Sequence, residues 1–108
     1  MGTDRHPRFG HLSPADLGLF TDRYELTMLR GYRETEHTPE STFSLFFRSL
    51  PTDRGYVIAA GLEQAIAYLR ELRFGDDQLD HLRKEGFPEA FLRYLAEFEF
   101  TGDVRAVP

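Results

Sequence analysis

The sequence predicts an α+β domain, a few-stranded sheet accompanied by about four helices. Two patterns carry that expectation. Apolar residues alternate through residues 41–50, the period of a strand, and recur at three- and four-residue spacing in other stretches, the period of a helix. Composition supplies a third observation. A chain of 108 residues that is 41% hydrophobic and 29% charged suits one globular domain rather than a disordered polymer. At that size roughly 65% of the unfolded surface can be buried, so a single core is feasible. Ten Phe and five Tyr offer much of the buried area.

In chain order, residues 1–12 place Gly2, Pro7 and Gly10 among charges and read as a flexible tail, leaving residues 13–108 as the domain. Ser13 before Pro14, with Asp16 close by, suits one short helical turn capped by Ser13. A helix follows from about Asp22. Asp22 and Glu25 have capping-box spacing, Leu26, Met28, Leu29 and Tyr32 give a buried face, and Pro39 lies beyond its end. Residues 41–50 then read as a strand with Phe43, Leu45 and Phe47 on one face. The other face, Thr42, Ser44, Phe46 and Arg48, is half apolar and suited to a second layer. Residues 52–55 form a turn and residues 56–59 a short return strand.

Three helices come next. Leu62, Ala65, Ile66 and Leu69 make an amphipathic stripe that Gly75 interrupts. Asp76 and Asp77 favour the start of the following helix through its dipole, Leu79 and Leu82 form its buried edge, and Gly86 stops it. Pro88 opens the last helix, where Phe91, Leu92, Leu95 and Phe98 share a face and Glu89 can pair with Arg93 on the outside. Residues 103–107 alternate like a final strand, with Val104 and Ala106 on one side.

Charge and cysteine content narrow the function. The net charge is −5, and the thirteen basic residues are scattered, so a nucleic-acid surface is not expected. Twelve of the thirteen are Arg, whose fork suits a compact anion such as phosphate. The absence of cysteine removes disulfides and thiol chemistry. No apolar run is long enough for a membrane span, and the start lacks a secretory apolar region, so a cytoplasmic protein is expected. The histidines His6, His11, His37 and His81 are widely spaced and suggest no metal site.

Chemistry concentrates in residues 19–28, LFTDRYELTM. Asp22 and Tyr24 stand two residues apart at a helix start. A tyrosine ring there can stack on a flat heteroaromatic ligand, and the free N–H groups of a helix N-terminus attract anions. The plainer alternative is that Asp22 is only a cap and Tyr24 only core.

These residues resemble the LLTDLYELTM opening of nicotinate phosphoribosyltransferases. Three further segments are similar to that family in the same order: residues 42–51, TFSLFFRSLP; residues 54–63, RGYVIAAGLE; and residues 98–108, FEFTGDVRAVP. The resemblance implies the small N-terminal domain of a type II phosphoribosyltransferase, normally packed on an α/β barrel. It also implies formation of nicotinate mononucleotide and diphosphate from nicotinate and 5-phosphoribosyl-1-diphosphate, with ATP hydrolysis and Mg in the complete enzyme, as a step of NAD salvage. A homodimer is implied, in which residues of one subunit's N-terminal region enter the partner's active site. By the same resemblance Tyr24 stacks on the pyridine ring, Asp22 lies near the ring substituent, and Arg48 contacts phosphate. No catalytic residue, metal ligand or resident cofactor is assigned to this chain.

For Arg48 the physical reading is a guanidinium projecting from a strand end toward an anion, or an ordinary ion-paired or solvated arginine. Position 23 departs from the family, carrying Arg where an apolar residue is usual, and is expected on the outer helix face. The family's barrel, with its phosphate loops and phosphorylated histidine, would lie beyond Pro108, so the chain alone is expected to be inactive. The competing expectations are a non-catalytic module that docks on a separate barrel chain, and a nonfunctional fragment with a sticky apolar patch.

Overall fold

A computed structural model describes residues 13–107; the expected tail, residues 1–12, lies outside them. The described residues form a short 3-10 turn, Pro14–Asp16, followed by four helices: α1 (Arg23–Glu34), α2 (Leu62–Glu71), α3 (Asp76–Lys84) and α4 (Glu89–Ala96). The 3-10 turn begins as its sequence suggests. The Asp16 carboxylate accepts from both the backbone N–H (3.0 Å) and the hydroxyl (2.9 Å) of Ser13.

The core is helical. Leu26 of α1, Leu79 and Leu82 of α3, Phe87 of the connecting loop, and Phe91, Leu92 and Leu95 of α4 bury one another. The spacing of the last three fixes which face of α4 turns inward. Phe87 stacks on Phe91 at 5.6 Å and Phe91 on Tyr94 at 6.2 Å, and Phe98 meets both Tyr94 and Phe74 edge-on.

The α3–α4 corner depends on Gly86, whose φ of 98° lies in the left-handed region. In that conformation its N–H reaches the Arg83 carbonyl and the Phe87 N–H reaches the Leu82 carbonyl, both at 3.1 Å, which satisfies two carbonyls at the helix end. Phe87 is thereby turned back into the core. Gly86→Ala is expected to cost about 1 kcal/mol through the Cβ penalty alone, because no neighbouring atom crowds the position. Urea unfolding of the chain measures it, and an unchanged midpoint would show that the corner does not need its left-handed turn.

The expected sheet is absent: among the described residues there is no strand. This corrects the α+β expectation. Residues 41–47, 56–59 and 103–107 carry no ladder, and only the turn between the first two is present, closed by the Arg54 N–H on the Pro51 carbonyl at 3.4 Å. The physical reason is pairing. Alternation specifies which face of a strand is buried, but a two-stranded hairpin is marginal in water without a third strand or a helix to cover it. The helical core closes without these segments, leaving Phe43 and Leu45 91% and 98% exposed.

Two helical faces also differ from expectation. In α1 only Leu26 is buried, Leu29 is partly so, and Met28 and Tyr32 are exposed. In α2 the stripe is open at Leu62 and Ala65, while Ala67 is buried instead. Glu89 pairs with Arg83 of α3, which also holds Asp80, so the cross-corner contact displaces the expected partner Arg93.

Candidate functional site at the start of α1

The approach to α1 is pressed against the rest of the fold. Leu17 and Gly18 are buried. A Cβ on Gly18 would stand 2.7 Å from the Arg73 carbonyl oxygen and 2.7 Å from the Phe74 ring, so only glycine permits this approach. The Gln78 side-chain amide donates to the Ala15 carbonyl, and the Tyr68 hydroxyl donates to the Leu17 carbonyl at 3.0 Å. From there the chain turns, with the Phe20 N–H on the Leu17 carbonyl at 3.2 Å, and enters α1 at Asp22.

Asp22 is the N-cap by backbone geometry, φ −78° and ψ 144°, and its carbonyl accepts the Glu25 N–H at 3.1 Å. Its carboxylate makes no capping hydrogen bond, so the expected capping box does not form. The carboxylate instead borders an open hollow lined by Leu19, Phe20, Thr21, Asp22 and Glu25. Arg23, on the outer face as expected, ties the helix start to the end of α3: it donates to the Glu85 carboxylate at 2.8 Å and to the Glu85 carbonyl at 3.3 Å.

Tyr24 lies on the first turn of α1 and is 60% exposed. It belongs neither to the core nor to the lining of the hollow. The carboxylates of Glu25 and then Asp22 raise its phenol above the ordinary value of 10.0, which keeps the ring neutral at physiological pH. Negative charge therefore gathers beside a flat, uncharged, accessible ring.

Arg48 is placed differently. It sits in a bend at residues 48–49, exposed, with no hydrogen bond or ion pair to any described residue. No sheet aims its guanidinium, which removes the geometric basis for the expected phosphate contact. The structure thus brings Asp22 and Tyr24 to one helix start and links Arg48 to neither.

Two residues escaped the sequence reading. Phe20 is the aromatic wall of the hollow, 61% exposed, and its place two residues before Asp22 was the available signal. Tyr68 meets Phe20 edge-on, ring centres 6.4 Å apart, but lies off the apolar stripe of its helix and gave no signal of its own. Among the described residues no group of three or more His, Cys, Asp or Glu stands together. No helix among them is long and apolar enough to cross a membrane.

Residues 19–108 match the nicotinate phosphoribosyltransferase (NAPRTase) N-terminal domain family. The chain is 45% identical over 91 residues to nicotinate phosphoribosyltransferase pncB2 of Mycobacterium tuberculosis, a match covering 83% of the chain and 20% of that relative. It is 44% identical over 78 residues to nicotinate phosphoribosyltransferase of Bacillus subtilis, covering 70% and 16%. To the enzyme of that name from Bos taurus it is 35% identical over 95 residues, covering 83% and 18%. The chain therefore spans about a fifth of the length of these relatives. No solved structure matches it significantly. With the family match covering all but the first eighteen residues, the chain belongs to the nicotinate phosphoribosyltransferase N-terminal domain family.

Proposed function

We propose that the chain serves as the N-terminal part of a cytoplasmic, homodimeric nicotinate phosphoribosyltransferase. The complete enzyme joins nicotinate to 5-phosphoribosyl-1-diphosphate, forming nicotinate mononucleotide and diphosphate, with ATP hydrolysis and Mg²⁺, in NAD salvage. This chain's share is binding and orientation. Tyr24 stacks on the pyridine ring, Asp22 faces the ring substituent, and Arg48 meets phosphate once the remaining polypeptide positions it. Holding the ring nitrogen toward the ribose carbon lowers the barrier by orientation and needs no covalent nucleophile on this segment.

The observation that carries the reading is the open ring of Tyr24 at the start of α1, inside the motif that matches the family. A second reading, a module that docks on a separate barrel chain, is favoured by the exposed apolar run from Phe43 to Phe47. One set of assays separates them. The 108-residue chain with nicotinate, phosphoribosyl diphosphate, ATP and Mg²⁺ is expected to yield no nucleotide. Joined covalently to the rest of the Bacillus subtilis relative, it is expected to yield nicotinate mononucleotide. Product from the chain alone, or none from a folded chimera, overturns the proposal. Product from the two pieces mixed as separate chains, with the linked form inactive, establishes the docking module.

A further inference from the structure

The start of α1 is not held by its own cap. Asp22 makes no capping hydrogen bond, and the tie through Arg23 and Glu85 is a solvent-exposed pair that contributes little. Something else fixes where α1 begins, and the contacts converge on Tyr68 of α2.

Its hydroxyl donates to the Leu17 carbonyl at 3.0 Å, the same oxygen that accepts the Phe20 N–H, and lies 3.5 Å from the Phe20 carbonyl. Its ring meets Phe20 edge-on, at an interplanar angle of 67°. One side chain therefore grips the turn from Leu17 to Phe20 at a carbonyl and at a ring. The turn cannot retreat, because Gly18 is already against Arg73, Phe74 and Gln78. Asp22 and Tyr24 follow directly from this clamped segment. Burial raises the Tyr68 phenol above its ordinary 10.0, so it remains a donor throughout the physiological range.

We infer that Tyr68 is a positioning residue for the pyridine site: it touches no ligand, and it sets the location of Asp22 and Tyr24 through the Leu17 carbonyl and the Phe20 ring. The inference rests on the reading of Tyr24 as the stacking residue. Tyr68→Phe keeps the ring on Phe20 and removes the hydrogen bond. Tyr68→Leu removes both.

The test is a double-mutant cycle in the complete enzyme, with this chain joined to the remaining polypeptide of the Bacillus subtilis relative. Tyr68→Phe is expected to raise the KM for nicotinate about two- to tenfold, the range of one neutral hydrogen bond, and to leave the KM for phosphoribosyl diphosphate unchanged. Tyr68→Leu is expected to raise it further. In a Tyr24→Ala background the effect of Tyr68→Phe is expected to vanish, because residues acting through one contact are not additive. An equal effect in both backgrounds, an equal effect on both substrates, or no effect sinks the inference and leaves the reading of Tyr24 standing. A Tyr24→Ala enzyme with an unchanged nicotinate KM sinks that reading and the inference with it.

Discussion

Tyr24→Ala is expected to reduce nicotinate use by the complete enzyme by about 1–3 kcal/mol, a loss of roughly 5- to 150-fold in kcat/KM. The range is that of a base stacked on an aromatic side chain, the nearest physical equivalent of a pyridine on a phenol. The ring is mostly exposed and belongs to no core cluster, so its removal is expected to leave the unfolding midpoint of the chain nearly unchanged. Steady-state kinetics with nicotinate varied, paired with denaturation of the same variant, separates the two effects. Tyr24→Phe should retain most activity, since stacking uses the ring rather than the hydroxyl. Intact kinetics with a lowered stability would make Tyr24 a structural residue.

The largest expected effect on stability lies at Leu95. It is fully buried among Leu26, Leu79, Leu82, Phe87, Phe91 and Leu92. Truncation to Ala removes apolar burial and leaves a void that the surrounding helices fill only in part, at a cost of about 2–5 kcal/mol. Native domains have only about 5–15 kcal/mol in all, so Leu95→Ala should remove a large share of the chain's stability and move its urea midpoint well down. Phe43→Ala is the internal control. That ring is almost wholly in solvent, and its loss should shift the chain by less than about 0.5 kcal/mol. Circular dichroism against urea compares the three proteins. Equal costs at positions 43 and 95 would mean that the helices are not the chain's core.

How much was legible follows from where each signal resides. The α3–α4 corner was readable because local chemistry decides it: Gly75, Asp76 and Gly86 punctuate, while Leu79, Leu82, Phe91, Leu92 and Leu95 repeat at helical spacing. The strands misled because alternation at Phe43, Leu45 and Phe47 reports what a segment would bury, not whether a partner is there to bury it. The same limit applies to Leu62 and Ala65, apolar at the right spacing yet exposed. At the candidate site, Asp22 and Tyr24 are legible together because they lie within one short motif. Tyr68 stands more than forty residues away and joins them only through space, a relation that spacing along the chain does not encode. The direction expected of Arg48 depends on a strand that does not form.

The uneven burial of the helices has a consequence for motion. Helix α4 sends three side chains into the interior and α3 sends Gln78 with two leucines, whereas α1 and α2 send one each, Leu26 and Ala67. Opening free energy follows buried contact, so α1 and α2 loosen in fluctuations that leave α3 and α4 intact. The segment carrying Asp22 and Tyr24 thereby shares its compliance with the helix that carries Tyr68, and the two can tilt together toward a surface they meet while the α3–α4 corner stays rigid.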